Sequence, residues 1–127
     1  MIRKGDIYKV QAGTDFQQES FVLVMSCDDI NASAFANVTV LPVVSRRKGV
    51  APGFEVAFAL GNRDVKVQAP NLTALPRSSL QGAAVGRIED ALLNQIDTLI
   101  AVHLALSPAS LEMPGVFIGP DNEGDTL

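Results

Sequence analysis

The chain has one cysteine, one histidine and no tryptophan among its 127 residues. A single Cys27 excludes an intrachain disulfide and points to a reducing compartment. Neither Cys27 nor His103 has a partner at metal-ligand spacing, so no metal and no cofactor is expected. There is also no Gly-rich phosphate loop and no Ser-His-Asp arrangement. One Tyr and six Phe leave few platforms for stacking the bases of single-stranded nucleic acid. No apolar stretch approaches the ~20 residues of a membrane span, and the opening MIRKGDIYKV lacks the apolar core of a signal peptide. A soluble cytoplasmic protein is the expectation.

Positive charge is scarce in one region and gathered in two others. Of the 14 acidic residues, Glu112, Asp121, Glu123 and Asp125 follow Ser107, where there is no Lys or Arg. Ten acidic and ten basic residues remain before it, so the net charge of −4 belongs to the C-terminal stretch. The positive charge clusters at Arg3, Lys4 and Lys9 and at Arg46, Arg47 and Lys48. Local patches of this kind, rather than net charge, meet phosphate.

What is present is mostly strand signal. Phe21 to Ser26 and Val38 to Val44 are β-branched, nearly uncharged runs, read as two strands buried on both faces at the middle of a small sheet. Between them lies a polar Cys-Asp-Asp and Asn-Ala-Ser insert. A first strand with one face out is expected around Ile7 to Val10, then a polar loop from Gln11 to Ser20. Phe54 to Leu60 and Asp64 to Gln68 alternate and flank Gly61-Asn62, as a hairpin would. Pro70 to Pro76 suits an edge strand or extended segment. In Glu89 to Leu106, Leu92, Leu93, Ile96, Leu99, Ile100 and Leu104 recur at helical spacing and Ser107-Pro108 follows, which predicts an amphipathic helix. Residues 1–106 should be one α+β domain, a small antiparallel barrel-like sheet with that helix packed on it, and 107–127 an acidic, poorly ordered tail.

Several pieces, in order, resemble the MazF/PemK/Kid toxins of bacterial type II toxin–antitoxin pairs, which share an SH3-like barrel with the gyrase poison CcdB. They are Arg3-Lys-Gly-Asp-Ile-Tyr8, Val22 to Asp28, Val40 to Arg47 with Lys48-Gly49, Phe54-Glu-Val56, and Leu80 through Ile88 to Ile96 and Leu106. The resemblance implies a homodimeric, metal-independent endoribonuclease that cuts single-stranded RNA by 2′-hydroxyl attack and is neutralised by an antitoxin. It also implies an Arg before the central strand and a Thr at the end of the next, placed to stabilise charge and help move the hydroxyl proton. Here Ser20 and Val44 stand at those two places, and Leu72 stands where some members carry a further Arg.

Cleavage by such a site would have to be carried by other residues. Arg46 could clamp the phosphate, Ser45 donate its hydroxyl proton to it and Glu19 take the 2′ proton. Arg47, Lys48, Gln17, Gln18, Thr73 and Arg77 are the candidate RNA contacts, with Asp15 on the same loop as the two glutamines. A basic turn is equally readable as a solvated loop, Glu19 as a surface carboxylate and the glutamines as ordinary loop polarity. His103 reads as a partly buried helix residue and Cys27 as a packing or incidental thiol. Two functions stay open: an endoribonuclease with a rebuilt site, and a non-catalytic protein of the same fold, including a CcdB-like poison of a protein target.

Overall fold

The computed structural model describes residues 1–10, 20–47 and 49–106. Seven strands run β1 (Asp6–Val10), β2 (Ser20–Val24), β3 (Asn37–Ser45), β4 (Glu55–Leu60), β5 (Arg63–Gln68), β6 (Thr73–Pro76) and β7 (Leu80–Arg87). Helix α1 (Asp28–Ala32) lies between β2 and β3, and α2 (Asp90–His103) follows β7. All pairings are antiparallel, in the order β4-β5-β3-β2-β1-β7, and the sheet curls into a half-barrel with α2 against its inner face. The fold is therefore the mainly β, helix-backed one expected. Among the described residues, no helix is long and apolar enough to cross a membrane.

The two uncharged runs occupy the middle of the sheet because both of their faces are covered. Successive side chains alternate sides, so Leu23, Met25 and Leu41 join Ile7, Val56, Phe58, Val65, Val67, Leu93 and Ile96 on the helix side. Val22, Val24, Val38 and Val40 pack with Tyr8 on the other, under Ile2, Val10, Leu75 and Leu80. Tyr8 is thus buried, and burial followed by the nearby Asp6 carboxylate raises its hydroxyl above the usual range.

β3 also explains the seventh strand. One edge pairs with β2 from Val40 to Val43; the other pairs with β6 from Asn37 to Val40 and with β5 from Val43 to Ser45. Pro42 falls in the interval between those two ladders, so its missing N–H interrupts neither. The chain leaves the β3 edge at Gln68, makes a single 3-10 turn at Ala69–Asn71 and returns as β6, the edge segment foreseen around Pro70 to Pro76.

Three sequence expectations are corrected. The polar insert contains α1, whose Asn31 is buried: Ser26 Oγ donates to Asn31 Oδ1 at 2.6 Å and Asn31 Nδ2 to the Ser26 carbonyl at 2.8 Å. The terminal helix stops at His103, not Leu106, because Ala105 takes φ +56°. There the N–H groups of Ala105 and Leu106 close back on the carbonyls of Val102 and Ala101, a capping turn more usually made with glycine. His103, in that last turn, is exposed rather than partly buried.

Two substitutions probe this architecture. Gly5 has φ +94°, and a Cβ there would lie 3.1 Å from both Arg87 Nη1 and Leu93 Cδ2. Gly5→Ala should destabilise by about 1–3 kcal/mol, read as a lower urea midpoint, and an unchanged midpoint would contradict the packing. The guanidinium of Arg77 donates to the carbonyls of Ile30, Asn31, Ser33 and Phe35, capping the C-terminal end of α1. Arg77→Ala should cost about 1–3 kcal/mol, since it strands those carbonyls, whereas a surface cation would change the midpoint little.

Candidate nucleic-acid interface

The basic turn follows directly from the end of β3. Arg46 and Arg47 are exposed, and the turn closes when Gly49 N–H donates to the Arg46 carbonyl at 2.8 Å. Arg46 N–H reaches the Asp64 carbonyl at 3.3 Å, and the Ser45 hydroxyl oxygen accepts Arg47 N–H at 3.2 Å. Ser45, Arg47, Lys66 and Gln68 line a cavity of 300 Å³ beside the turn. Two expected partners, Ser45 and Arg47, therefore share one concavity. Arg46 neighbours it, and Lys66 and Gln68 are additions that the sequence did not single out.

Register puts this cavity beside the two positions where the chain departs from the toxin pattern. Val44 pairs with Lys66, and Lys66 with Ala57. One step beyond the pair Phe21 and Val43, Ser20 falls next to Val44. Ser20, Val44 and Lys66 therefore stand in one row across three strands, on one face of the sheet.

Below the turn lies a polar network. Lys66 Nζ donates to Glu55 Oε1 and to the Gly49 carbonyl, both at 2.9 Å. Glu55 Oε1 also accepts Ala51 N–H at 2.7 Å, while Oε2 accepts Gln68 Nε2 at 2.7 Å. Asn71 Nδ2 completes the chain on Gln68 Oε1 at 2.7 Å. The Lys66 and Glu55 side chains are only 10% and 8% exposed, so this is a buried ion pair with its remaining hydrogen-bonding capacity filled locally. The Ala51 N–H, then Lys66 and Gln68, hold the Glu55 carboxyl at about 2 against an ordinary 4.5. It is a fixed anion at neutral pH and has no capacity to take a proton there. Nothing local in the sequence signals the pair, since a lysine between Val65 and Val67 in an alternating strand reads as an outward charge.

The other candidates lie apart. Thr73 is exposed at the start of β6, opposite Val40, and Leu72 beside it is 37% exposed. Arg77 has its guanidinium on the α1 carbonyls, which takes its donors away from an RNA contact. Glu19, Gln17, Gln18, Asp15, Lys48 and the tail from Ser107 lie outside the described residues. Cys27 is exposed at the N-cap of α1. Among the described residues, no group of three or more His, Cys, Asp or Glu is placed to hold a metal ion. A second, open groove of 390 Å³ is lined by Lys9, Phe21, Leu60, Gly61, Arg63 and Val85, with the Arg63 guanidinium 5.5 Å from the centre of the Phe21 ring.

Because the folded value of Glu55 lies below the unfolded one, its contribution to stability is fully present above about pH 4.5 and is lost as the pH falls toward 2. The stability gap between the wild type and Glu55→Gln should therefore be level from pH 5 to 7 and close progressively below about pH 4.5. Urea midpoints across that range measure it, and a gap that widened on acidification would overturn the assignment of a low Glu55.

The family model of PemK-like, MazF-like toxins of type II toxin–antitoxin systems matches residues 3–104. No curated protein matches the chain by sequence. Among solved structures, a mycobacterial endoribonuclease in complex with its cognate antitoxin superposes with a TM-score of 0.69 at 23% identity, over 84% of this chain and 98% of that one. MazF of Deinococcus radiodurans gives 0.65 at 23%, over 83% and 97%. The MazE–MazF structure from the same organism gives 0.67 at 22%, over 84% and 97%. At these identities the superpositions speak for the fold, and the family model, spanning both ends of the sheet and α2, speaks for descent: the chain belongs to the PemK-like, MazF-like toxin family.

Proposed function

We propose that this protein is the toxin of a type II toxin–antitoxin pair and a metal-independent endoribonuclease acting on single-stranded RNA in the cytoplasm. The supporting observation is the cavity lined by Ser45, Arg47, Lys66 and Gln68, beside the row that holds Ser20 and Val44. On this reading the site stands where the family pattern puts its Arg and Thr, with the cationic charge supplied from the neighbouring turn. The complexes of the mycobacterial and Deinococcus relatives with their antitoxins support a cognate antitoxin for this chain, and the family resemblance supports a homodimer.

The reaction is a transesterification. The ribose 2′ oxygen loses its proton to the base and attacks the adjacent phosphorus, the bond to the 5′ oxygen breaks as that oxygen takes up a proton from the protonated base or from water, and the products are a 2′,3′-cyclic phosphate and a 5′-hydroxyl. Negative charge grows on the non-bridging oxygens, where the guanidinium groups of Arg46 and Arg47 would each offer paired N–H donors. Ser45 can keep its lone-pair contact with Arg47 N–H while its own proton points to phosphate. Glu55, held at about 2 and bonded to three donors, is unsuited to take the 2′ proton. That leaves Glu19 as the candidate base, with Lys48, Gln17, Gln18 and Thr73 as RNA contacts.

The test is incubation with a long single-stranded RNA in EDTA, with cuts mapped by primer extension. Recurrent cuts at a short sequence are expected, and Arg46→Ala/Arg47→Ala should slow them by about 10²-fold or more, as loss of oxyanion-stabilising donors does. An absence of cuts would favour the second reading, a non-catalytic binding protein of this fold, for which the uncharged Ser20 and apolar Val44 already speak.

A further inference from the structure

The turn that carries Arg46 and Arg47 is held within itself by Gly49 N–H on the Arg46 carbonyl and tied to β5 by Arg46 N–H on the Asp64 carbonyl, but its side chains pack on little. Arg46, Arg47, Gly49, Val50 and Ala51 are all exposed, and a Cβ placed on Gly49 would meet no atom within 4 Å. Gly49 adopts φ +84°, a left-handed conformation that glycine reaches without a Cβ penalty. Its backbone is nevertheless gripped at two points from inside the sheet, at the Gly49 carbonyl by Lys66 Nζ and at Ala51 N–H by Glu55 Oε1. Gln68 and Asn71 brace Glu55 from the far side.

A buried ion pair is a poor way to gain stability, because desolvating two charges offsets most of their attraction, but it is an effective way to specify one geometry. An ammonium presents several donors from one point, and here one donor satisfies the carboxylate and another reaches over to the loop backbone. An apolar side chain at Lys66 would fill the space but release the Gly49 carbonyl.

We infer that Lys66 and Glu55 are a positioning pair, setting from within the sheet where the two arginines of the turn are presented, an inference that rests on reading that turn as the phosphate clamp. The pair acts through the backbone of residues 49 and 51 and does not itself touch the phosphate. Because Glu55 neutralises it, Lys66 adds little attraction of its own for an anion, which is why its contribution is one of placement.

The experiment uses the full chain carrying Glu55→Gln and Lys66→Met together, a double change that avoids leaving one charge buried alone. Folding is verified by circular dichroism. Limited trypsin digestion with mass spectrometry then reads cleavage after Arg46 and Arg47, and fluorescence anisotropy reads the affinity for a 2′-deoxy oligonucleotide, which lacks the attacking hydroxyl. Tryptic cleavage in the turn should rise about tenfold in the double variant, as expected for a segment released from its anchors. Oligonucleotide affinity should fall by about tenfold with it. Lys66→Arg with Glu55 intact retains a donor for each partner and should restore both protection and binding, which a role confined to filling the core would not require. Wild-type protection in the folded double variant overturns the inference. A loosened turn that still binds the oligonucleotide as the wild type does upholds the anchoring and overturns the reading of the turn as a phosphate clamp.

Discussion

The structure depends on how β3 shares its two edges. Nine residues, apolar toward both sides, give one edge to β2 and divide the other between β5 and β6. A continuous partner on that second edge would require a donor at position 42, and proline has none. The split ladder removes the requirement and obliges the chain to leave and rejoin the same strand through the turn at Ala69–Asn71. The cover of Leu75 over the outer cluster and the position of Asn71 beside Gln68 follow from it. So does the site, because Ser45 is the last residue of β3 and the basic turn begins where that strand runs out of partners.

Much of this was legible from residue pattern. Apolar runs without alternation marked β2 and β3 as central, and alternation with Gly61-Asn62 marked the β4–β5 hairpin. β7 was not foreseen as a strand, since Leu80 to Arg87 is largely exposed and has no apolar face to read; the stretch entered only as a piece of the family resemblance. α1 escaped notice because five residues cannot show a helical period, and what keeps it in place is distant: Asn31 on Ser26, and the Arg77 guanidinium from forty-odd residues along the chain. The reading of Arg77 as an RNA contact failed to anticipate its setting for the same reason, since a helix that is not foreseen offers no carbonyls to cap. The end of α2 was misplaced because the signal for a left-handed cap is glycine, and Ala105 takes that conformation without one.

The same limit applies to the site. Ser45 and Arg47 drew notice in the sequence because they are near neighbours with chemistry written on them, and they line one cavity. Glu55 and Lys66 did not, because each alone reads as an ordinary charge on a strand, and only the register of β4 on β5 brings them within 2.9 Å. Pattern reading resolves what is local or periodic. A charge pair eleven residues apart is neither, and its burial is a property of the curled sheet rather than of either residue.

The row Ser20, Val44, Lys66 shows what the departures from the toxin pattern amount to physically. Adjacent strands are ~4.8 Å apart, so the backbone of Lys66 lies about 10 Å from the Ser20 position, where the resemblance places an arginine. A displaced but exposed arginine would still meet phosphate. A lysine whose charge is matched by Glu55 within the sheet would do so only weakly, since the field of the pair falls off as a dipole. Uncompensated positive charge on this face is therefore found one layer further out, on Arg46 and Arg47, and it is useful only if the turn that carries it has a defined shape. On the proposed reading, the phosphate contact would pass to the arginines of the turn, and the buried Lys66–Glu55 pair beneath it would set the shape in which they are presented.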